Sequence, residues 1–386
     1  MVLPVPQDHP DTPEARRYNR VRRILGVADA ALGVVALLVL LITHWSAALR
    51  DLSFRAWPQN YSLALLLYWL MLAVLLKLAG FPLDVYGYRL ERHYDLSNQK
   101  TGAWLWDEFK GWLVGFAIGL GLVELVYYVM RKAPNYWWLI TWALFIVIYV
   151  FFVQLAPLLL FPLFYKFKPL ENDALRERLT RLGERAGTRV RGVYEWVLSE
   201  KSKKANAALT GLGATRRIIL ADTLLRNYSD DEIEAVLAHE LGHHVHRHIF
   251  KSIVVQAGVS LFGFWAANEV LHRAVDHHLF DFVYDFANLP LLLLVSSAIS
   301  LLLLIPLNAY SRYNERQADT YAFQSVRDVR PYIAALNKLA DQNMAERQPS
   351  RLVEVLFHSH PPIPKRIAAA EAWARKNPPL MDADQR

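Results

Sequence analysis

Six apolar blocks, at roughly 24–44, 61–82, 111–130, 136–160, 252–272 and 286–307, constrain this chain more than any other feature. A helix needs about 20 mainly apolar residues to cross a bilayer, and in hydrocarbon each backbone polar group must be satisfied within its own segment. Each block is therefore read as a transmembrane helix. The expected architecture is a mainly α, polytopic membrane protein of about six spans. Between the fourth and fifth blocks lies a polar insert long enough for a catalytic domain. Pro157 and Pro162 predict a bend where the fourth span leaves the bilayer. Trp45, Trp57, Trp104, Trp106, Trp137 and Trp138 stand near block ends, where indole rings favour the interface. Gly102–Trp112 alternates aromatics with Asp107, Glu108 and Lys110, which fits a surface-lying segment and an ordinary amphipathic helix equally.

Charge sets the expected orientation. Arg16, Arg17, Arg20, Arg22, Arg23, Arg89, Arg92, Lys100 and Lys110 fall in short segments of one side; Arg50, Arg55, Arg131, Lys132 and Arg273 fall on the other. Nine against five places both termini, and the polar insert, in the cytoplasm. The arginines before the first block, with no small-residue cleavage pattern after it, make it a retained signal-anchor. The net charge of +7 is assigned to these inner loops, so no nucleic-acid partner is expected. The absence of cysteine excludes disulfides and thiolate ligands, leaving His, Asp and Glu for any metal. Asp29, Glu124, Gln154, Gln256, Asn268 and Glu269 lie inside apolar blocks, where polar groups are costly against lipid. A water-containing chamber and simple inter-helix hydrogen bonding both account for them.

Four regions follow: 1–163 with four spans; 164–251 with a helix, a small sheet and a metal-type helix; 252–307 with two spans; and 308–386, helical, completing the catalytic part. Leu175, Leu179, Leu182 and Ala186 recur at helical spacing. Val193–Leu198, Asn206–Thr210 and Arg217–Leu220 read as short strands, with Gly211 and Gly213 in the turn between the last two. Such a sheet offers an edge that can accept an extended peptide; a purely structural hairpin fits the same residues.

The chemistry is concentrated in residues 229–248. His239, Glu240 and His243 have the spacing H-E-x-x-H, which on a helix aims two imidazoles at one ion and brings a carboxylate near a water on it. Ser229 and Glu232 form a capping-box pattern, and Asp230 and Asp231 suit the positive end of the helix dipole. A catalytic zinc site takes three protein ligands. The third is sought in Asn314-Glu315-Arg316-Gln317-Ala318-Asp319. There Glu315 can supply a carboxylate, Asp319 can hold the free nitrogen of a ligating histidine, and Ala318 allows a helix to approach closely. His246 is the alternative third ligand.

In these motifs the chain resembles the type I CAAX prenyl endopeptidases, membrane zinc metallopeptidases of the gluzincin kind. The resemblance runs over roughly residues 80–370. It includes Ser97-Asn98-Gln99, Lys201–Ala207, Asp222-Thr223-Leu224-Leu225, H-E-L-G-H, N-E-R-Q-A-D, and Ser359-His360-Pro361-Pro362 with Lys365-Arg366. It implies one zinc ion per chain on His239, His243 and Glu315, with Glu240 as catalytic base and Asp319 orienting a ligand. It also implies that Asn206 and Ala207 lie on a substrate-binding edge strand, that His360 stabilises the tetrahedral intermediate and that Arg366 supports the site. The expected activity is hydrolysis near the C-terminus of protein or peptide substrates, prenylated ones among them, at the bilayer. Eukaryotic members have seven spans, one more than this chain, the shortfall lying before residue 60. Alternatives are a membrane quality-control protease of the heat-shock type and a metal-binding transporter or sensor. A transporter would carry its ligands within the spans, whereas these flank them. An intramembrane-cleaving protease would bury H-E-x-x-H in an apolar span.

Overall fold

The computed structural model describes residues 11–211, 216–326 and 328–377. Its elements in order are α1 (Pro13–Ile42), α2 (Trp45–Ala56), α3 (Tyr61–His93), α4 (Thr101–Lys132), α5 (Trp137–Leu159), α6 (Phe161–Phe164), β1 (Phe167–Pro169), α7 (Asp173–Arg185), β2 (Gly192–Trp196), β3 (Ala207–Thr210), β4 (Arg217–Ala221), α8 (Asp222–Asn227), α9 (Asp230–Val245), α10 (His248–Asp276), α11 (Leu289–Ser325), α12 (Arg330–Gln342), α13 (Arg351–Phe357) and α14 (Ile363–Lys376).

Among the described residues six helices, α1, α3, α4, α5, α10 and α11, are long and apolar enough to cross a membrane. Every expected block falls within one of them, overrunning it by at most three residues at either end. Leu78, Val147, Leu301 and Leu302, each more than two-thirds exposed, face outward, as lipid-facing side chains must. Except for α5, the helices outrun their apolar blocks. Gly102–Trp112 is the first third of α4, unbroken from Thr101, and so not a separate surface helix. α5 stops at Leu159, and α6 begins a new turn with Pro162 in its first positions, which breaks the helix where the prolines predicted a change of direction. α2, a 12-residue helix, was not anticipated; its apolar run is too short to mark it.

Two cores form. The first lies among the long helices, around Tyr68, Tyr127, Trp137, Leu271 and Phe286. Two buried hydroxyls beside it are paired: Tyr127 Oη donates to Asn288 Oδ1 at 2.6 Å, and Ser46 Oγ donates to the Ala287 carbonyl at 2.6 Å. The second joins α7, the sheet, α9, α12 and the end of α11 through Leu175, Leu179, Leu182, Ile218, Leu237, Phe323 and Tyr332. The predicted leucine stripe of α7 is its lid, with Leu175, Leu179 and Leu182 all buried.

The sheet has the order β1-β2-β4-β3. β4 runs parallel to β2 and antiparallel to β3, with Ala207 opposite Leu220 and Thr210 opposite Arg217. β3 is thus an edge strand. Gly211 follows it at φ +90°, a left-handed value that glycine adopts without Cβ strain; Gly213 lies outside the described residues. β1, three residues ending in Pro169, was missed because so short a run shows no alternation.

Two features carry the site. Ser229 caps α9 through the Glu232 amide, and the Glu232 carboxylate accepts from the Ser229 amide at 2.7 Å, closing the capping box. α10 and α11 form a hairpin with legs of equal length: α10 has 29 residues, and Leu289 to Gln317 spans the same number. At about 1.5 Å per residue the second leg returns level with the start of the first. His248 Nε2 therefore lies 3.0 Å from Gln317 Oε1.

Candidate active site

α9 and α11 meet through their smallest residues. A Cβ on Gly242 would fall 2.7 Å from Ala318 Cα, so only glycine permits this approach. Each helix carries a pair of functional residues four apart across the contact, His239 and His243 on α9, Glu315 and Asp319 on α11. His239 Nε2 lies 3.2 Å from Glu315 Oε2, His243 Nε2 lies 3.4 Å from Glu315 Oε1, and the two Nε2 atoms are 3.3 Å apart. A tetrahedral ion with bonds of about 2.0–2.1 Å separates its ligands by about 3.3–3.4 Å. Glu315 is buried, and its Oε2 has no hydrogen-bond partner among the described residues. A buried, unsatisfied carboxylate oxygen is costly unless something charged meets it. Donor set, spacing and orphaned oxygen all fit a divalent cation. His246, the alternative ligand, stacks against His248 instead.

Both histidines are oriented from behind. His239 Nδ1 lies 2.9 Å from Asp319 Oδ1. Asp319 is gripped by Arg366 of α14, with Nη2 donating to Oδ1 at 2.7 Å and Nε to Oδ2 at 3.0 Å. Tyr332 of α12 also donates to Asp319 and accepts from Arg366 Nη2 at 2.8 Å. His243 Nδ1 is 3.0 Å from His248 Nδ1, which continues to Gln317. Burial disfavours the His239 imidazolium, yet the hydrogen bond to Asp319 and the facing Glu315 carboxylate outweigh it and raise the pKa to about 9. Burial and then the neighbouring His239 charge push His243 down to about 4. Both imidazoles must be neutral to bind a cation, so binding displaces any proton that the acidic surroundings of His239 favour. Burial raises the Glu240 carboxyl above its ordinary value, the direction that suits a base working near neutrality.

His360 Nε2 lies 3.2 Å from Glu315 Oε1, on a side chain that is 60% exposed. The loop bearing it is fixed by Arg312 of α11, whose Nη1 donates to the carbonyls of Glu354 and His358 at 3.0 and 2.6 Å. A cavity of about 780 Å³ opens beside the cluster. Glu240, His243 and Glu315 line one end, Leu209 and Gly211 one side, and Tyr149, Val153, Ile249, Phe250 and Ile253 an apolar wall from α5 and α10. Ala207 begins β3, and Asn206, just before it, is exposed while its carbonyl accepts from Ala221. Of the polar residues inside apolar blocks, Gln154 lines this cavity and Asp29 lines another, of about 700 Å³, between α1, α3 and α4. Asn268 is buried.

Seven of the nine predicted site residues, His239, Glu240, His243, Glu315, Asp319, His360 and Arg366, thus lie in or beside one cluster, while Asn206 and Ala207 lie just before and at the start of β3, whose Leu209 lines the adjoining cavity. Sequence reasoning missed Tyr332, Gln317 and Arg312 and gave His248 no role. The ring and guanidinium contacts depend on helices far apart in the chain, and only the extra histidine five residues after His243 left a visible trace.

Fold and site together define a membrane-embedded metalloendopeptidase. Residues 169–374 match the model of peptidase family M48, and residues 8–166 match the CAAX prenyl protease N-terminal model, described as having five membrane helices. The chain belongs to peptidase family M48. In this chain the N-terminal match contains α1–α5, of which α2 is too short to span. Over 376 residues the chain is 31% identical to a Bacillus subtilis protein named uncharacterized metalloprotease YhfN, covering 96% of this chain and 88% of that one. It is 28% identical over 327 residues to CAAX prenyl protease 1 of Saccharomyces cerevisiae, covering 79% and 72%. The crystal structure of S. mikatae Ste24p shares the fold, with a TM-score of 0.84 at 22% identity over 96% of this chain and 92% of that one.

Proposed function

We propose that this enzyme is a zinc-dependent endopeptidase that cleaves extended peptides near a C-terminal C-a-a-X sequence, prenylated substrates included, with its site at the cytoplasmic face. The observation that carries the reading is the orphaned Oε2 of buried Glu315, 3.2 Å from His239 Nε2 on a carboxylate whose Oε1 lies 3.4 Å from His243 Nε2, beside an apolar cavity. His239, His243 and Glu315 would hold the zinc. When bound, it supplies Lewis acidity that polarises the scissile carbonyl and acidifies the attacking water.

The peptide adds to the free edge of β3, with Asn206 and Ala207 bonding its main chain; such pairing tolerates varied side chains. The apolar wall of α5 and α10 takes a lipidated or hydrophobic side chain next to the scissile bond. Glu240 accepts the proton of the attacking water and returns it to the leaving amine. The His360 N–H donates to the developing oxyanion. Asp319, held by Arg366 and Tyr332, accepts from His239 Nδ1–H and so keeps Nε2 free as a ligand atom. The basic segments of α1 and of the α3–α4 turn are what support a cytoplasmic site.

The test is incubation of detergent-purified protein with farnesylated and unmodified C-a-a-X peptides, with and without a chelator. Chelator-sensitive cleavage near the C-terminus, faster for the farnesylated peptide, is the expected result. Equal cleavage of both peptides would point to general membrane-protein quality control. Unimpaired turnover by Glu240→Gln would remove Glu240 from its role.

A further inference from the structure

The edge strand β3 has four residues and one neighbour, a weak basis for fixed register. A slip of one residue in a strand turns every side chain to the opposite face. The run leading into it, residues 197–206, forms no helix or strand, yet it is held on two sides.

On one side is the turn between α3 and α4. Asn98 donates its backbone N–H to the Lys201 carbonyl at 3.0 Å and its side-chain amide to the Ser199 carbonyl at 2.9 Å. Ser97 Oγ donates to the same Lys201 carbonyl at 3.1 Å, and the Lys203 amide returns to the Leu96 carbonyl at 3.0 Å. Ser97 and Ser202 pair as an antiparallel bridge, so this turn lies like a short strand against the approach to β3. The Lys201 ammonium forms an ion pair with Asp107 of α4 and sits 4.8 Å from the centre of the Tyr165 ring. Asp107 is tied to its own helix by Lys110 at 2.8 Å. On the other side, Gln342 Nε2 donates to the Lys203 carbonyl at 2.7 Å, and the Ala205 amide donates to Asn343 Oδ1 at 3.0 Å.

We infer that the α3–α4 turn is a positioning part of the substrate-binding apparatus, fixing the height and register of β3 through Asn98, Ser97 and the Asp107–Lys201 ion pair. The inference rests on the reading that β3 receives the peptide. Two membrane-length helices then govern peptide affinity without touching peptide. Loosening the clamp weakens binding at the edge strand and leaves the cation cluster on α9 and α11 as it was.

Lys201→Met, Lys201→Arg and Asn98→Ala variants of the full chain test this with the same C-a-a-X peptides. Lys201→Met and Asn98→Ala are each expected to raise KM about tenfold, with kcat within about twofold and one metal retained per chain; Lys201→Arg keeps KM near wild type. Amide exchange of residues 207–210 should quicken in both impaired variants, while that of 233–243 stays unchanged. Unchanged KM and unchanged exchange at 207–210 would overturn the inference, as would a fall in kcat at constant KM. If wild type cleaves neither peptide, the proposed activity fails on its own account, and the exchange measurement still decides whether the clamp exists. Should Lys201→Met not fold, Asn98→Ala carries the test, since Asn98 is exposed and its loss leaves the ion pair in place.

Discussion

A methyl group added at Gly242 would meet the Ala318 backbone, 2.7 Å from its Cα and 2.9 Å from its carbonyl oxygen. Neither helix can yield there, because His239, His243, Glu315 and Asp319 flank the contact. Gly242→Ala should therefore part α9 from α11, with an overpacking cost of roughly 1–3 kcal/mol. Metal content of the purified protein should drop well below one per chain. Full occupancy would mean that the helices reach the ligand geometry some other way. Behind His243, the neutral pair His248 and Gln317 does the work that Asp319 does behind His239. His248→Ala is expected to weaken metal affinity about 10- to 100-fold, the usual range for such supports, as read by competition with a chromophoric chelator. At this scale the sequence was most legible where partners sit four apart on one helix: H-E-x-x-H and the Glu315–Asp319 pair need no knowledge of the fold. Tyr332 was illegible because a tyrosine on the buried stripe of an amphipathic helix looks like core. Only the packing of α12 against α11 turns its hydroxyl toward Asp319.

Individual elements set the remaining catalytic groups by their ends and corners. The loop carrying His360 owes its height to Arg312, buried in α11 and donating to two carbonyls of α13 and the turn beyond it. If His360 supplies an oxyanion donor, His360→Ala should lower kcat by about 10²–10³. Arg312→Gln should reproduce part of that loss with KM and metal content near wild type; a change confined to KM would break the link. The β4–α8 corner depends on Asp222, which is buried and accepts the Leu198 and Ser199 amides at 3.0 and 2.9 Å. Burial alone would raise its pKa, but those amides, the Ser199 hydroxyl and Arg226 lower it below the ordinary carboxylate value. A carboxylate depressed in the folded state stabilises fully above its unfolded pKa, near 4, and loses that contribution as pH falls toward the folded value. Asp222→Ala should cost roughly 2–4 kcal/mol at neutral pH, the price of leaving two amides unpaired. Thermal unfolding in detergent should show the gap between variant and wild type closing below about pH 4. A gap independent of pH would assign the loss to packing. α7, α9 and the three longer strands were readable from periodicity and capping, whereas α2 and β1 were too short to carry a pattern.

The whole molecule solves one geometrical problem: ligands about 70 residues apart in sequence must meet after the chain has crossed the membrane-length layer twice. Equal legs in the α10–α11 hairpin are the solution, and the sequence hinted at it only through two apolar blocks of similar length. The match to within one turn was not visible there, because α11 runs on unbroken from its apolar part through Glu315 to Ser325, past the point where hydropathy ends. Inserting one leucine after Leu302, a residue 68% exposed on the outer face, leaves composition and span length almost unchanged. It rotates everything beyond it by about 100° and advances it by about 1.5 Å. Asn314 would then stand where Glu315 stands, Gln317 would meet Gly242 in place of Ala318, and Asp319 would lose His239. The inserted protein should assemble in the membrane with normal thermal behaviour of the long helices, yet bind no metal and cleave no peptide. The converse variant, the same leucine placed after Ser325, lengthens the chain by one residue beyond the ligands and should keep its metal. If both insertions retain one metal per chain, α11 absorbs the extra residue locally, at Pro306 for instance, and helix register is not what brings Glu315 to the histidines.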